Sequence, residues 1–232
     1  MPTWTSLVTA ISVAVAAVVT TAAPAHAGVI RGVVSFSGAL EAKKLPVTID
    51  QYICGKDKPS EKLVVGPQRG VKNAVVWLRT PPPGATWPSA PVKVEMDQKE
   101  CVFVPRVVLV PAGGTVEFLN SDRLLHNLHS VSKENPTFNR TQPRGRAIPV
   151  AFAKPEIIRI TCDLHSWMQA WVVVAEHPFY AVTGEAGEFE LPNVPPGTYT
   201  LQIWQETLGV TTRDVTVASD EGRVKVELKA PR

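Results

Sequence analysis

Apolar residues in this chain recur at every second position, in short runs, and no long stretch keeps the three-to-four spacing of a helix. The runs are "VIRGVVSFSG", "VKNAVVWLR", "RVVLVPAGG", "TVEFLNSD", "EIIRITC", "AWVVVAE", "GTYTLQIWQ", "RDVTV" and "RVKVELK". Alternation of this kind places successive side chains on opposite faces of a strand. Between the runs stand turn signals such as "PAGG", "EAGE" and "PPG", and the 21 prolines and 15 glycines fit a chain of many hairpins. The reading is all-β, built as β-sandwiches.

At 232 residues there is room for one large or two small cores. A hydrophobic share of 44% with 19% charged residues is globular composition. A formal charge of +3, with no dense Lys/Arg cluster, gives no footing for nucleic acid. The proline-rich "TPPPGATWPSAP" (residues 80–91) reads as a stiff linker. A second change of texture follows "AWVVVAEHPFY".

The first thirty residues carry no Asp, Glu, Lys or Arg. Leu7 to Val19 is apolar, and "AHA" at Ala25 to Ala27 has the small-residue form of a cleavage site. Residues 1–27 are therefore expected to be a secretory signal, an uncleaved anchor being the alternative. Export places the protein in a periplasmic or extracellular, oxidising compartment. Of three cysteines one must then remain unpaired. Cys54 and Cys101 are the natural disulfide and Cys162 the leftover, with three buried thiols as the alternative.

Cys162 opens "CDLHSWM", which spaces Cys162, His165 and Met168 three residues apart. In "EIIRITC" the inward face is Ile158, Ile160 and Cys162, and in "LLHNLHS" Leu124, His126 and Leu128 share a face. A loop after Cys162 would bring His165 and Met168 round to His126. Taken singly, each has a plainer reading: a buried Cys as a small hydrophobe, a Met as filler, a His as a satisfied core group. Together they form two imidazoles, a thiolate and a thioether, the ligand set of a blue-copper electron-transfer site. Zinc fits less well, because a thioether is a poor ligand for it.

The text "FVPRVVLVPAGGTVEFLNSDRLLHNLHS", followed by "CDLHSWMQAWVVV", resembles the cupredoxins, the type-1 copper proteins that include plastocyanin, pseudoazurin and amicyanin. The likeness covers residues 92–176: an F-x-P at Phe103 and Pro105, the "VPAGGTV" hairpin, an N-x-D, a His-Asn pair and the Cys-x-x-His-x-x-Met loop. It implies a Greek-key β-sandwich holding one copper ion that cycles between Cu(I) and Cu(II). The implied ligands are His126, Cys162, His165 and axial Met168, and Asn127 would hydrogen-bond to the ligand loop and steady the thiolate. It further implies that His165 is the exposed electron exit, ringed by an apolar docking patch to which Trp167 and Met168 contribute. His129 is an added imidazole, either a surface residue or an extra ligand. The loop lacks the family's usual prolines, and Asp163 and Ser166 are expected to alter its hydrogen bonding.

The C-terminal text, with "TGEAGEFEL" at Thr183 to Leu191 and "PPGTYTL" at Pro195 to Leu201, resembles the carboxypeptidase regulatory-like domain, a small transthyretin-like sandwich. Its first strands are expected from residues 28–80 and its last from 177–232, with the cupredoxin unit inserted between them. Pairing of residues 29–38 with 196–204 is the expected sign of insertion, and its absence would count against it; the alternative is two sequential domains, with the N-terminal strands completing the cupredoxin barrel. The expected function is a non-enzymatic, single-copper electron carrier serving a periplasmic redox partner, with no membrane span after signal cleavage. The alternatives are copper storage or delivery, and a structural or attachment module.

Overall fold

The structure is a computed structural model that describes Met1 and residues 27–87, 92–218 and 220–230. The expected export segment lies almost wholly outside them, as do residues 88–91 of the proline-rich linker. No helix among the described residues is long and apolar enough to cross a membrane.

The protein is all-β, and its four larger sheets form two sandwiches. One sandwich comes from residues 93–175. Its first sheet orders Ile148–Ala151, Thr115–Asn120, Lys93–Lys99 and Val102–Val104 side by side. The facing sheet orders Asn139–Gln142, His126–Val131, Glu156–Thr161, Gln169–Ala175 and Val107–Pro111. Alternate residues of these strands, among them Met96, Val116, Phe118, Leu128, Ile158, Ile160 and Val172, fill the space between the sheets.

Strands from both ends of the chain make the other sandwich. Gly28–Phe36 lies between Glu188–Val194, to which it is antiparallel, and Glu221–Leu228, to which it is parallel. Opposite them, Val75–Leu78 lies between Tyr180–Val182 and Gly197–Gln205, and Gly209–Val217 closes the edge. The partners differ from those expected. Residues 29–38 pair with 188–194 and 221–228, and it is Val75–Leu78 that pairs with Leu201 to Trp204. The reason lies in "VKNAVVWLR", where Asn73 takes a left-handed φ of 63° and breaks the run into Val71–Lys72 and Val75–Leu78. The second piece is thereby freed to enter the other sheet.

The two sandwiches meet along Gln169–Ala175. Ala170, Val172 and Val174 face the core of the 93–175 sandwich, while Val173 and Trp171 pack with Val75, Val107, Trp77 and Trp204. Burial on both faces explains why this strand reads as continuous valine rather than as an alternation. The joint is pinned by Arg106, whose guanidinium donates to Glu206 at 2.7 Å and to the Gln169 carbonyl at 2.9 Å. Gln169 adds a hydrogen bond to Glu206 at 2.8 Å.

Lys44–Pro59 belongs to neither sandwich's main sheets. It runs as a small two-stranded ribbon, Lys44–Pro46 with Asp57–Pro59, enclosing one helical turn, Gln51–Cys54. The Cys54–Cys101 disulfide ties it to the 93–175 sandwich, with a Cα–Cα distance of 5.5 Å. Val47 and Cys54 are buried in that sandwich's core cluster.

Candidate metal centre

His126 begins its strand. The alternation carries Leu128 and Ser130 inward with it and leaves His129 on the other side. Cys162 follows the last residue of the neighbouring strand, and the chain then turns back on itself. The Met168 N–H donates to the His165 carbonyl at 2.8 Å, and the Cys162 N–H donates to the Met168 carbonyl at 3.4 Å. These two bonds close the loop and hold His165 and Met168 on the inward side.

Three donor atoms converge there. His126 Nδ1 and His165 Nδ1 lie 2.9 Å apart, and Cys162 Sγ lies 3.5 Å from His165 Nδ1 and 4.0 Å from His126 Nδ1. Around a single divalent first-row ion, with metal–nitrogen bonds of about 2.0 Å and metal–sulfur bonds of about 2.3 Å, donors sit roughly 3–4 Å from one another. The spacing therefore fits one ion held by all three. Met168 is 1% exposed and lies in the same core cluster.

Both imidazoles are backed by carboxylates. His126 Nε2 lies 2.9 Å from Asp122 Oδ2, and His165 Nε2 lies 3.1 Å from Asp50 Oδ2. A proton on each Nε2, donated to its carboxylate, leaves the Nδ1 atoms to face each other and the sulfur. Asp122 also accepts from the backbone N–H groups of Glu100 at 2.7 Å and Cys101 at 2.9 Å. Those two residues form the left-handed corner between Lys93–Lys99 and Val102–Val104, with φ of 56° and 58°.

The electrostatics follow from these contacts. Burial opposes a charge on His126, but the bond to Asp122 and the neighbouring sulfur outweigh it and raise its pKa to about 9. Burial likewise opposes ionisation of Asp122, and the bonds from His126, Cys101 and Glu100 overcome that and hold it below its usual range. For Cys162, burial pushes the thiol up while His126 and the Asn127 N–H pull it down, and the net direction is down, toward thiolate. His165 goes the other way: burial lowers it, so it stays neutral, with Asp50 opposing.

Asn127 bridges the two halves of the site. Its backbone N–H donates to Cys162 Sγ at 3.4 Å, and its side-chain carbonyl accepts from the Asp163 N–H at 2.6 Å. His129 does not join the cluster; its Nδ1 lies 2.9 Å from Asp163 Oδ1, on the exposed side of the strand. Two expectations are overturned. His165 is 0% exposed rather than an open edge, and Asp50 of the Lys44–Pro59 segment sits against its Nε2. Trp167 and Met168 are buried too, so neither presents a surface patch. Trp167 packs against the His165 ring at a centroid distance of 5.1 Å and donates from Nε1 to the Cys101 carbonyl at 3.0 Å.

Sequence reasoning gave no role to Asp122 or Asp50. Asp122 closes the quoted "NSD" and stands four residues before His126, a spacing that could have flagged it. Asp50 has no such local signal, since 115 residues separate it from His165.

A family model described as polysaccharide lyase family 4, domain II matches residues 143–224, about a third of the chain. The match begins inside the 93–175 sandwich and continues into the other. No curated protein matches the sequence. Among solved structures, the chain is similar to a Cu-containing nitrite reductase from Thermus scotoductus SA-01 (24% identity, TM-score 0.35), with 42% of this chain aligned and about a quarter of that one spanned. It is also similar to a purple cupredoxin from Nitrosopumilus maritimus (20% identity, TM-score 0.32), over 35% of this chain and 99% of the other. A mutant amicyanin in its reduced Cu(I) form aligns at 20% identity and TM-score 0.34, over 43% of this chain and 98% of its own.

Proposed function

We propose that the protein is an exported, mononuclear cupredoxin-like copper protein that carries single electrons between redox partners and catalyses no reaction of its own. His126, Cys162 and His165 would hold the ion, and the buried Met168 thioether is the candidate fourth donor. The observation that carries this reading is the convergence of three buried donor atoms whose two imidazoles are each fixed from behind by a carboxylate. Copper supplies a one-electron couple when bound. The protein's part is to hold the donors in one arrangement for both oxidation states and to exclude water.

The Cys54–Cys101 disulfide supports export, since such bonds persist in oxidising compartments. Burial of the site favours electrons over ions as cargo. A copper-delivery protein needs donors such as Met168 and His165 within reach of an acceptor, and both are buried. An electron can tunnel across one covering side chain, whereas an ion must displace it. Voltammetry of the copper-loaded protein is the test. A reversible one-electron wave, with the metal retained over many cycles, is expected. Loss of copper on each reduction would refute the reading.

A further inference from the structure

His165 is closed off by a segment that belongs to neither sheet of its own sandwich. The Asp50 side chain accepts from His165 Nε2 at 3.1 Å. The Asp50 backbone carbonyl accepts from the N–H groups of Ile53 at 3.0 Å and Cys54 at 2.9 Å, so it starts the helical turn that ends at the disulfide. Asp50 itself is in the left-handed region, with φ of 54°, where Asp, Asn and Gly are the residues most readily accommodated. Behind it, Gln51 Nε2 donates to the Val47 carbonyl at 2.7 Å, and Val47 is packed into the core. The outer surface of the turn carries Tyr52, 81% exposed.

Each imidazole is thus joined to one half of the same disulfide through one carboxylate. His126 reaches Cys101 through Asp122, and His165 reaches Cys54 through Asp50 and its helical turn. Asp122 sits on the sandwich itself. Asp50 sits on a ribbon that can part from the sandwich only as far as its disulfide tether allows.

We propose that Asp50 is the positioning residue and the gate of this centre: its carboxylate fixes His165 with Nδ1 toward Cys162, and the ribbon carrying it must lift before a metal ion can enter or leave. The inference rests on the copper reading above and deepens it. An ion reaching the three donors past His165 has to break the Asp50–His165 hydrogen bond, and the disulfide returns the ribbon to its place. Slow exchange is then a property of this covering segment rather than of the ligand set.

The test uses the full chain with its disulfide intact, as wild type, Asp50→Gly and Asp50→Asn. Gly keeps the left-handed backbone and removes the carboxylate, while Asn keeps an oxygen able to accept the same proton. Copper-loaded protein is reduced and mixed with excess bathocuproine disulfonate, and the rate of Cu(I) capture is followed by absorbance. Loss of a charge-assisted hydrogen bond should speed capture about tenfold or more in Asp50→Gly, with Asp50→Asn much closer to wild type. In metal-free protein, diethyl pyrocarbonate labelling read by mass spectrometry should spare His165 in wild type and modify it in Asp50→Gly, the half-exposed His129 serving as internal control. Nitrogen-15 NMR should place the His165 proton on Nε2 in wild type and show a mixture of tautomers in the glycine variant. Unchanged capture together with unchanged labelling would overturn the gate. If none of the three proteins binds copper, the copper reading fails, and the labelling and tautomer contrasts still decide the gate for or against.

Discussion

Replacing Asp122 should be costly, because three donors depend on it and two of them, the Cys101 N–H and His126, are buried. The side chain is 7% exposed as a residue and accepts from Glu100 N–H, Cys101 N–H and His126 Nε2. In Asp122→Ala the Glu100 N–H can turn to water, since Glu100 is exposed. The Cys101 N–H is buried and cannot, which costs about 1–3 kcal/mol. His126, also buried, loses a charge-assisted bond of about 1.5–3 kcal/mol. The sum is about 2.5–6 kcal/mol of metal-free stability. Asp122→Asn keeps one accepting oxygen and should lose about half of that. The loss depends on pH. The folded pKa of His126, about 9, stands above its ordinary 6.5, so the stability it contributes is fully present below about pH 6.5 and is lost as pH rises through about 9. The Asp122 contribution, from a depressed pKa, is present above its ordinary 3.8 and fades as pH falls below it. The penalty of Asp122→Ala is therefore greatest near pH 5–6 and smaller at pH 10. Urea unfolding at several pH values, with the slope m compared between variants, measures it. A penalty under about 1 kcal/mol at pH 6, or one that grows toward pH 10, would refute the reasoning.

Arg106→Ala should leave the buried Glu206 carboxylate without its cation and cost about 3–5 kcal/mol, seen in calorimetry as separation of the two sandwiches' unfolding transitions. Opening the Cys54–Cys101 link by the double substitution Cys54→Ser, Cys101→Ser releases a loop with a sequence separation of 47, a loss of about 4 kcal/mol in the chain-entropy account, to be read from the denaturation midpoint. Burial opposes ionisation of Glu156, but the donors Ser132, Lys133, Asn135 and Glu134 outweigh it and hold its pKa down to about 2. Its contribution is present above the ordinary 4.5 and lost as pH falls toward 2, so Glu156→Gln should flatten the acid limb of stability in that window, measured by pH-jump circular dichroism.

Strand periodicity carried most of the architecture. "GTYTLQIWQ" is the strand Gly197–Gln205 without alteration, and the valine run of Gln169–Ala175 marks the strand buried on both faces. The ligand cluster was legible because Cys162 ends an inward face and His126 lies between two leucines on another. Lys93–Lys99 escaped notice for a physical reason. Its inward residues are Val94, Met96 and Gln98, and the Gln98 amide nitrogen donates to the Gln142 side chain and the Leu119 carbonyl within the core. Polarity at an inward position hides the alternation. Lys44–Pro59 escaped for a different reason. It has no periodicity of its own and gains its position from a disulfide to a residue 47 positions away, so nothing local predicted that it would close over His165.

On the proposed reading, Cys162 and the two histidines bind one copper ion. The direct measurement is the visible absorption spectrum of the protein titrated with Cu(II), beside Cys162→Ser. The account predicts an intense thiolate-to-copper charge-transfer band that saturates at about one equivalent and is absent from the variant. Weak absorption that is the same in both proteins would contradict it, because the sulfur would then take no part in holding the ion.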